Sequence, residues 1–97
     1  MYFTYVLYSP AFDRIYVGQT NDIKTRVAKH NQGLVRSTKS FVPWNLIYFE
    51  KFPTRSEAMQ REKQLKSHQG RLWIRTNLLN DRTIGRVRQA PDFKSGH

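Results

Sequence analysis

The chain has no cysteine among its 97 residues. Disulfides and thiolate chemistry are therefore excluded, and the redox compartment is left open. Carboxylates are scarce as well. Seven Asp and Glu stand against 17 Lys and Arg, a formal net charge of +10. A small domain so basic looks for polyanions, and nucleic acid is the first candidate. No apolar run approaches transmembrane length. The opening MYFTYVLYSP has neither a basic n-region nor a small-residue cleavage site, so no signal peptide is expected and a cytoplasmic location follows by default. A membrane surface suits the chain poorly, because no basic amphipathic helix stands apart from the rest. The length allows one domain with a core of modest size.

Aromatic residues, in contrast, are plentiful at 13%. YFTYVLYS (2–9) is apolar on both alternating faces, the pattern of a central strand covered on each side. Pro10 stops it, and RIYVG (14–18) reads as the second strand of a hairpin. Gly18 ends that strand and permits a close backbone approach. TNDIKTRVAKHNQG reads as a helix, with Thr20 or Asn21 as N-cap, Asp22 in the first turn and Gly33 as stop. Ile23 and Val27 form its apolar stripe, while Arg26 and His30, four apart, share another face. A basic, hydroxyl-rich loop (34–43) leads to a third strand, WNLIYFEKF (44–52). Thr54 and Glu57 form a capping box that opens a helix through about Ser67, and RLWIRTNLL (71–79) reads as a shorter helix. The order β-β-α-β-α-α predicts an α+β domain over 1–79, a three-stranded antiparallel sheet flanked by helices. Residues 80–97 read as a mobile or extended basic tail.

Few side chains are available for chemistry. Asp13 and Asp22 belong to a turn and a helix start, Glu57 to a capping box, Asp81 and Asp92 to the tail, and Glu50 to a strand end. Glu62 differs, because it stands four after Ala58 and three before Leu65, on the apolar stripe of its helix. A charge there is costly unless it is paired, with Lys66 or a nearby arginine, or binds a metal. His30, His68 and His97 form no cluster with carboxylates, which argues against a structural zinc or a two-metal centre. Arg36 and Lys39, with the hydroxyls between them, suit a nucleic-acid backbone, as does Lys66. Trp44 and Trp73 read as core aromatics.

Taken together, Tyr5, then Tyr16-Val17-Gly18, Thr20, Asp22, Arg26 and His30, then Pro43-Trp44, Leu46 and Tyr48, then Ser56, Ala58, Glu62 and Leu65-Lys66 form one spaced set. It resembles the GIY-YIG nuclease domain, in particular its small stand-alone bacterial members, over residues 2 to 79. The first signature triplet departs from the pattern: Phe3-Thr4-Tyr5 keeps only the tyrosine, a loss that bears on packing more than on chemistry. Asn77, fifteen beyond Glu62, is the match for the family's asparagine.

The resemblance implies metal-dependent hydrolysis of phosphodiesters. In that scheme Glu62 holds Mg²⁺ or Mn²⁺, Arg26 grips phosphate oxygens, and Tyr5 is the general base on water. Tyr16 orients water or phosphate, and His30 accepts the Tyr5 proton. Gly18, Thr20 and Asn77 are further site candidates. The expected partner is DNA, duplex, branched or single-stranded, with RNA left open. Contact with the backbone implies little sequence specificity. A monomer or a transient homodimer would serve. Two rival readings are a non-catalytic nucleic-acid-binding module and a metal-independent ribonuclease using His30 and His68 as base and acid.

Overall fold

The computed structural model describes residues 1–79 and 87–90. Strand β1 (Tyr2–Ser9) pairs antiparallel with β2 (Arg14–Thr20) on one side and β3 (Asn45–Phe52) on the other. Helix α1 (Ile23–Asn31) covers one face of this sheet, while α2 (Arg55–Lys66) and α3 (His68–Asn77) cover the other. The unbroken apolar run of β1 is explained by that sandwich. Tyr5 and Leu7 point to the α1 side, with Trp44, Ile23 and Val27. Val6 points to the α2 and α3 side, with Val17, Ile47, Leu65, Ile74 and Leu78. Burying side chains such as Ile74 and Leu78 is worth about 1.5–3 kcal/mol each. A register shift opposite Val6 and Leu7 makes room for an extra residue in β3, so consecutive Ile47 and Tyr48 both join the aliphatic side.

The expected α+β order is therefore present, and three details differ from the sequence reading. Asp22, not Thr20 or Asn21, is the N-cap of α1: its carboxylate accepts from Thr25 N–H at 3.2 Å and from the Thr25 hydroxyl at 2.8 Å. An aspartate caps as well as an asparagine, and only the backbone decides which position becomes extended. Helix α3 starts three residues earlier than expected, because Ser67 ends α2 and caps α3 together, its hydroxyl accepting from Gly70 N–H. Gly70 lies inside α3. A side chain there would run into the Leu65 backbone at 2.6 Å, so the glycine lets the two helices meet. Finally, Arg88–Gln89 form a short strand β4, parallel to β3 at the sheet edge, giving the order β2-β1-β3-β4. No strand was expected there. Residues 80–86 and 91–97 of the proposed tail lie outside the described residues.

Two fastenings hold the C-terminal end of α1, where His30 lies. Gly33, with φ of 76°, ends the helix: its N–H donates to the His30 carbonyl and Leu34 N–H to the Lys29 carbonyl. Asn31 then bridges to Trp44, giving its amide to the Trp44 carbonyl at 3.0 Å and accepting from Trp44 N–H at 2.6 Å. The end of α1 is thereby locked to the start of β3.

Candidate active site

The α1 face gathers the polar residues singled out in the sequence. Tyr5 stands opposite Gly18 across the β1–β2 ladder. A Cβ on Gly18 would meet the Tyr5 hydroxyl at 2.6 Å and its ring carbon at 2.7 Å. The glycine is thus the space in which the phenol lies. Tyr16, on the same strand, packs edge-on against the His30 ring with centroids 4.8 Å apart, and Tyr5 approaches Tyr16 at 6.2 Å. Helical spacing brings Arg26 and His30 to these two rings, as the four-residue interval predicts.

The Tyr5 oxygen lies 2.9 Å from His30 Nε2, and both residues are almost fully buried. Burial, the largest influence, pushes the Tyr5 phenol up to about 12, opposed by the neighbouring Arg26 guanidinium and aided by the Tyr16 phenol and the Glu62 carboxylate. Burial also lowers His30 to about 4, and the Arg26 cation acts in the same direction. Both groups are therefore neutral near pH 7. Arg26 itself holds its proton more firmly than usual, through the adjacent Tyr5 and Tyr16 oxygens. Its Nε, however, is buried without a hydrogen-bond acceptor, the one such side-chain atom among the described residues. Arg26 lines a polar groove of about 350 Å³ with Tyr2, Gln19, Thr20, Asn21 and Arg55.

The other candidates are distributed around this centre. Glu62 lies on α2, which packs across β1 and β2, and its charge is felt at the Tyr5 oxygen. Its carboxylate pairs with Lys66 at 2.7 Å, one of the two solutions expected for an acid on that stripe. Thr20 lines the groove and accepts from Asp22 N–H at 3.1 Å. Arg36 and Lys39 are exposed on the loop after α1. Asn77 ends α3, its amide donating to the Trp73 carbonyl at 3.0 Å. Trp44 is buried as expected, but Trp73 is 37% exposed, one edge against Tyr48, and is not a core residue.

His68 is exposed at the start of α3. His30, by contrast, is buried against Tyr5 and Tyr16. Thr38 was missed. In the sequence it is one hydroxyl in a basic loop, yet it is 1% exposed and its oxygen is 2.8 Å from His30 Nδ1. The signal available was slight: a hydroxyl eight residues beyond a histidine that needs a second partner.

As to metal, no trio of His, Asp or Glu is gathered among the described residues. A cage made wholly of protein ligands does not fit. A single partly exposed carboxylate does fit the way Mg²⁺ is commonly held, through one or two carboxylates with waters and substrate phosphate.

The family model described as the GIY-YIG catalytic domain matches residues 1–77. The chain is similar to a UPF0213 protein of Natronomonas pharaonis, 39% identical over 67 residues, covering 68% of this chain and 78% of that one. It is also similar to a UPF0213 protein of Haloquadratum walsbyi, 40% identical over 57 residues, or 58% of this chain. That match spans 64% of the Haloquadratum protein's own length. Among solved structures, a UPF0213 protein of Bacillus halodurans determined by NMR is 28% identical, with a TM-score of 0.47, covering 78% of this chain and 84% of that one.

Proposed function

Because the chain belongs to the GIY-YIG family, we propose that it is a metal-dependent endonuclease that hydrolyses phosphodiester bonds in DNA with little sequence specificity. The observation that carries the reading is Arg26, a residue that lines a polar groove and whose buried Nε has no acceptor among the described residues. A buried charged donor left unmade is costly. A phosphate oxygen would complete it, and a planar fork suits two phosphate oxygens at once.

The proposed chemistry follows from the neighbouring protons. A water oxygen attacks phosphorus as the bond to the leaving 3′-oxygen breaks. The water gives its proton to the Tyr5 oxygen while Tyr5 gives its own to His30 Nε2, leaving an imidazolium. The leaving oxygen is protonated from solvent. A phenol near 12 and an imidazole near 4 are badly matched for this transfer in the free protein. A phosphodiester anion on Arg26 offsets the cation that lowers His30, so substrate itself raises the acceptor. Tyr16, beside His30, orients water or phosphate. Glu62 would hold Mg²⁺ or Mn²⁺, which when bound supplies Lewis-acid stabilisation to the leaving oxygen. Arg36, Lys39 and Lys66 add contacts to the nucleic-acid backbone.

The test is nicking of supercoiled plasmid with Mg²⁺ and with chelator, in the native protein and in Glu62→Gln. The reading expects nicking only by the native protein with metal, and DNA binding retained in the variant. Equal nicking in chelator, or by Glu62→Gln, would refute it. Binding without nicking under any condition would favour a non-catalytic module.

A further inference from the structure

We propose that Thr38 is a positioning residue that fixes the tautomer of His30, so that a bare Nε2 faces the Tyr5 hydroxyl. The inference deepens the nuclease reading and rests on it for its catalytic meaning, while its hydrogen-bond content stands alone. Donors and acceptors at buried atoms must be matched, and here they can be matched in one way. Tyr5 is 1% exposed, so its O–H needs an acceptor. Arg26 beside it is only a donor. The acceptor found for Tyr5 among the described residues is His30 Nε2 at 2.9 Å. Nε2 must then carry no proton. A neutral imidazole has one N–H, so the proton sits on Nδ1 and needs an acceptor in turn. Thr38 Oγ1 lies there, at 2.8 Å, with its own hydroxyl directed to the Val35 carbonyl at 3.4 Å. The chain of donors runs one way, from Tyr5 through His30 and Thr38 to the Val35 carbonyl.

The loop is built to hold that oxygen still. Thr38 N–H donates to the Val35 carbonyl at 3.1 Å, and the Trp44 indole donates to the Thr38 carbonyl at 2.9 Å. Trp44 is in turn bound to Asn31, one residue after His30. The imidazole and its hydroxyl partner are thus referenced to one another by a closed ring of contacts. The opposite tautomer would place two donors, Nε2–H and the guanidinium, on the Tyr5 oxygen and strand the phenol's own proton.

Two variants and one spectrum test this. Long-range ¹H–¹⁵N correlation of the His30 ring reports which nitrogen carries the proton, with or without activity. The native protein is expected to show Nδ1–H. Thr38→Val keeps the shape and removes the oxygen, and should populate Nε2–H. Its kcat should fall roughly a hundredfold with KM unchanged, the lower end of the range that acid–base catalysis supplies. Thr38→Ser should restore both tautomer and rate. Nε2–H in the native protein would overturn the proposal, as would Thr38→Val with Nδ1–H and full rate. If Thr38→Val fails to fold, the native spectrum and Thr38→Ser still decide it. If the native protein proves not to be a nuclease, the tautomer shift is expected all the same.

Discussion

Two arginines face opposite sides of the same sheet, and both are only partly exposed. Arg61, on the α2 side, has its Nε within 3.0 Å of both Glu50 oxygens, and Glu50 also accepts from the Tyr48 hydroxyl at 2.7 Å. Every group in that cluster has its partner. Arg26, on the α1 side, stands against Tyr5 and Tyr16 with its Nε unpaired. The tyrosines repeat the contrast. Burial raises both phenols, but Tyr48 is held by a carboxylate and Tyr5 by a neutral imidazole. The aliphatic side is finished by folding alone. The aromatic side is left with an unmet cationic donor, the group that the proposed phosphate would satisfy.

The widest separation should come from Arg26→Ala. In the proposed role, on developing phosphate charge, loss of the guanidinium should lower the cleavage rate by about 10²–10³ fold. The melting temperature should hold or rise, since a buried unpaired donor goes with it. Single-turnover cleavage beside a thermal melt checks both. A variant that unfolds would make Arg26 a structural residue like Arg61 and erase the contrast.

Acid should weaken the α1 side in a window of its own. His30 falls from an ordinary 6.5 to about 4 on folding. Between those values the unfolded chain binds a proton that the folded chain does not, so stability falls as pH falls. The loss begins near pH 6.5, is complete near pH 4, and amounts to about 3 kcal/mol. Asp13 and Asp22, whose carboxyls are held below their ordinary range by Arg75 and Thr25, give up their contribution only at lower pH. Urea melts at pH 7 and 4.5 should show the loss in the native protein and not in His30→Gln. The same loss in both would assign it elsewhere.

Much of this was legible in the chain. The covered β1, the four-residue interval from Arg26 to His30, and the Thr54 capping box are local patterns, and local patterns survive folding. The short β4 was not, because two residues have no periodicity and their pairing depends on β3, 40 positions away in sequence. Ser67 serving two helices at once escaped for a similar reason, since the close approach of Gly70 to the Leu65 backbone is a contact between two helices. At the site, Glu62 was visible because a charge interrupts an apolar stripe. Thr38 was invisible because a hydroxyl in a basic loop looks the same whether solvated or buried.

A smaller effect should appear on the opposite side. Arg61→Ala leaves the Glu50 carboxylate, 12% exposed, with the Tyr48 hydroxyl alone. Stability should drop by about 1–3 kcal/mol, the range for a largely buried acceptor deprived of its partner. The cleavage rate per folded molecule should stay as it was. Denaturant melts and cleavage on the same preparation check this, and a rate loss to match Arg26→Ala would show that the two faces are not separate in function.

The most direct measurement compares the two arginines in one spectrum. The Nε–H resonances of Arg26 and Arg61 are followed by ¹H–¹⁵N NMR while a short DNA oligonucleotide is added in chelator, so that nothing is cut. Arg26 Nε–H should shift and exchange more slowly with water as a phosphate oxygen completes it, while Arg61, already held by Glu50, stays in place. An Arg26 resonance that remains unmoved through saturating DNA would contradict the account.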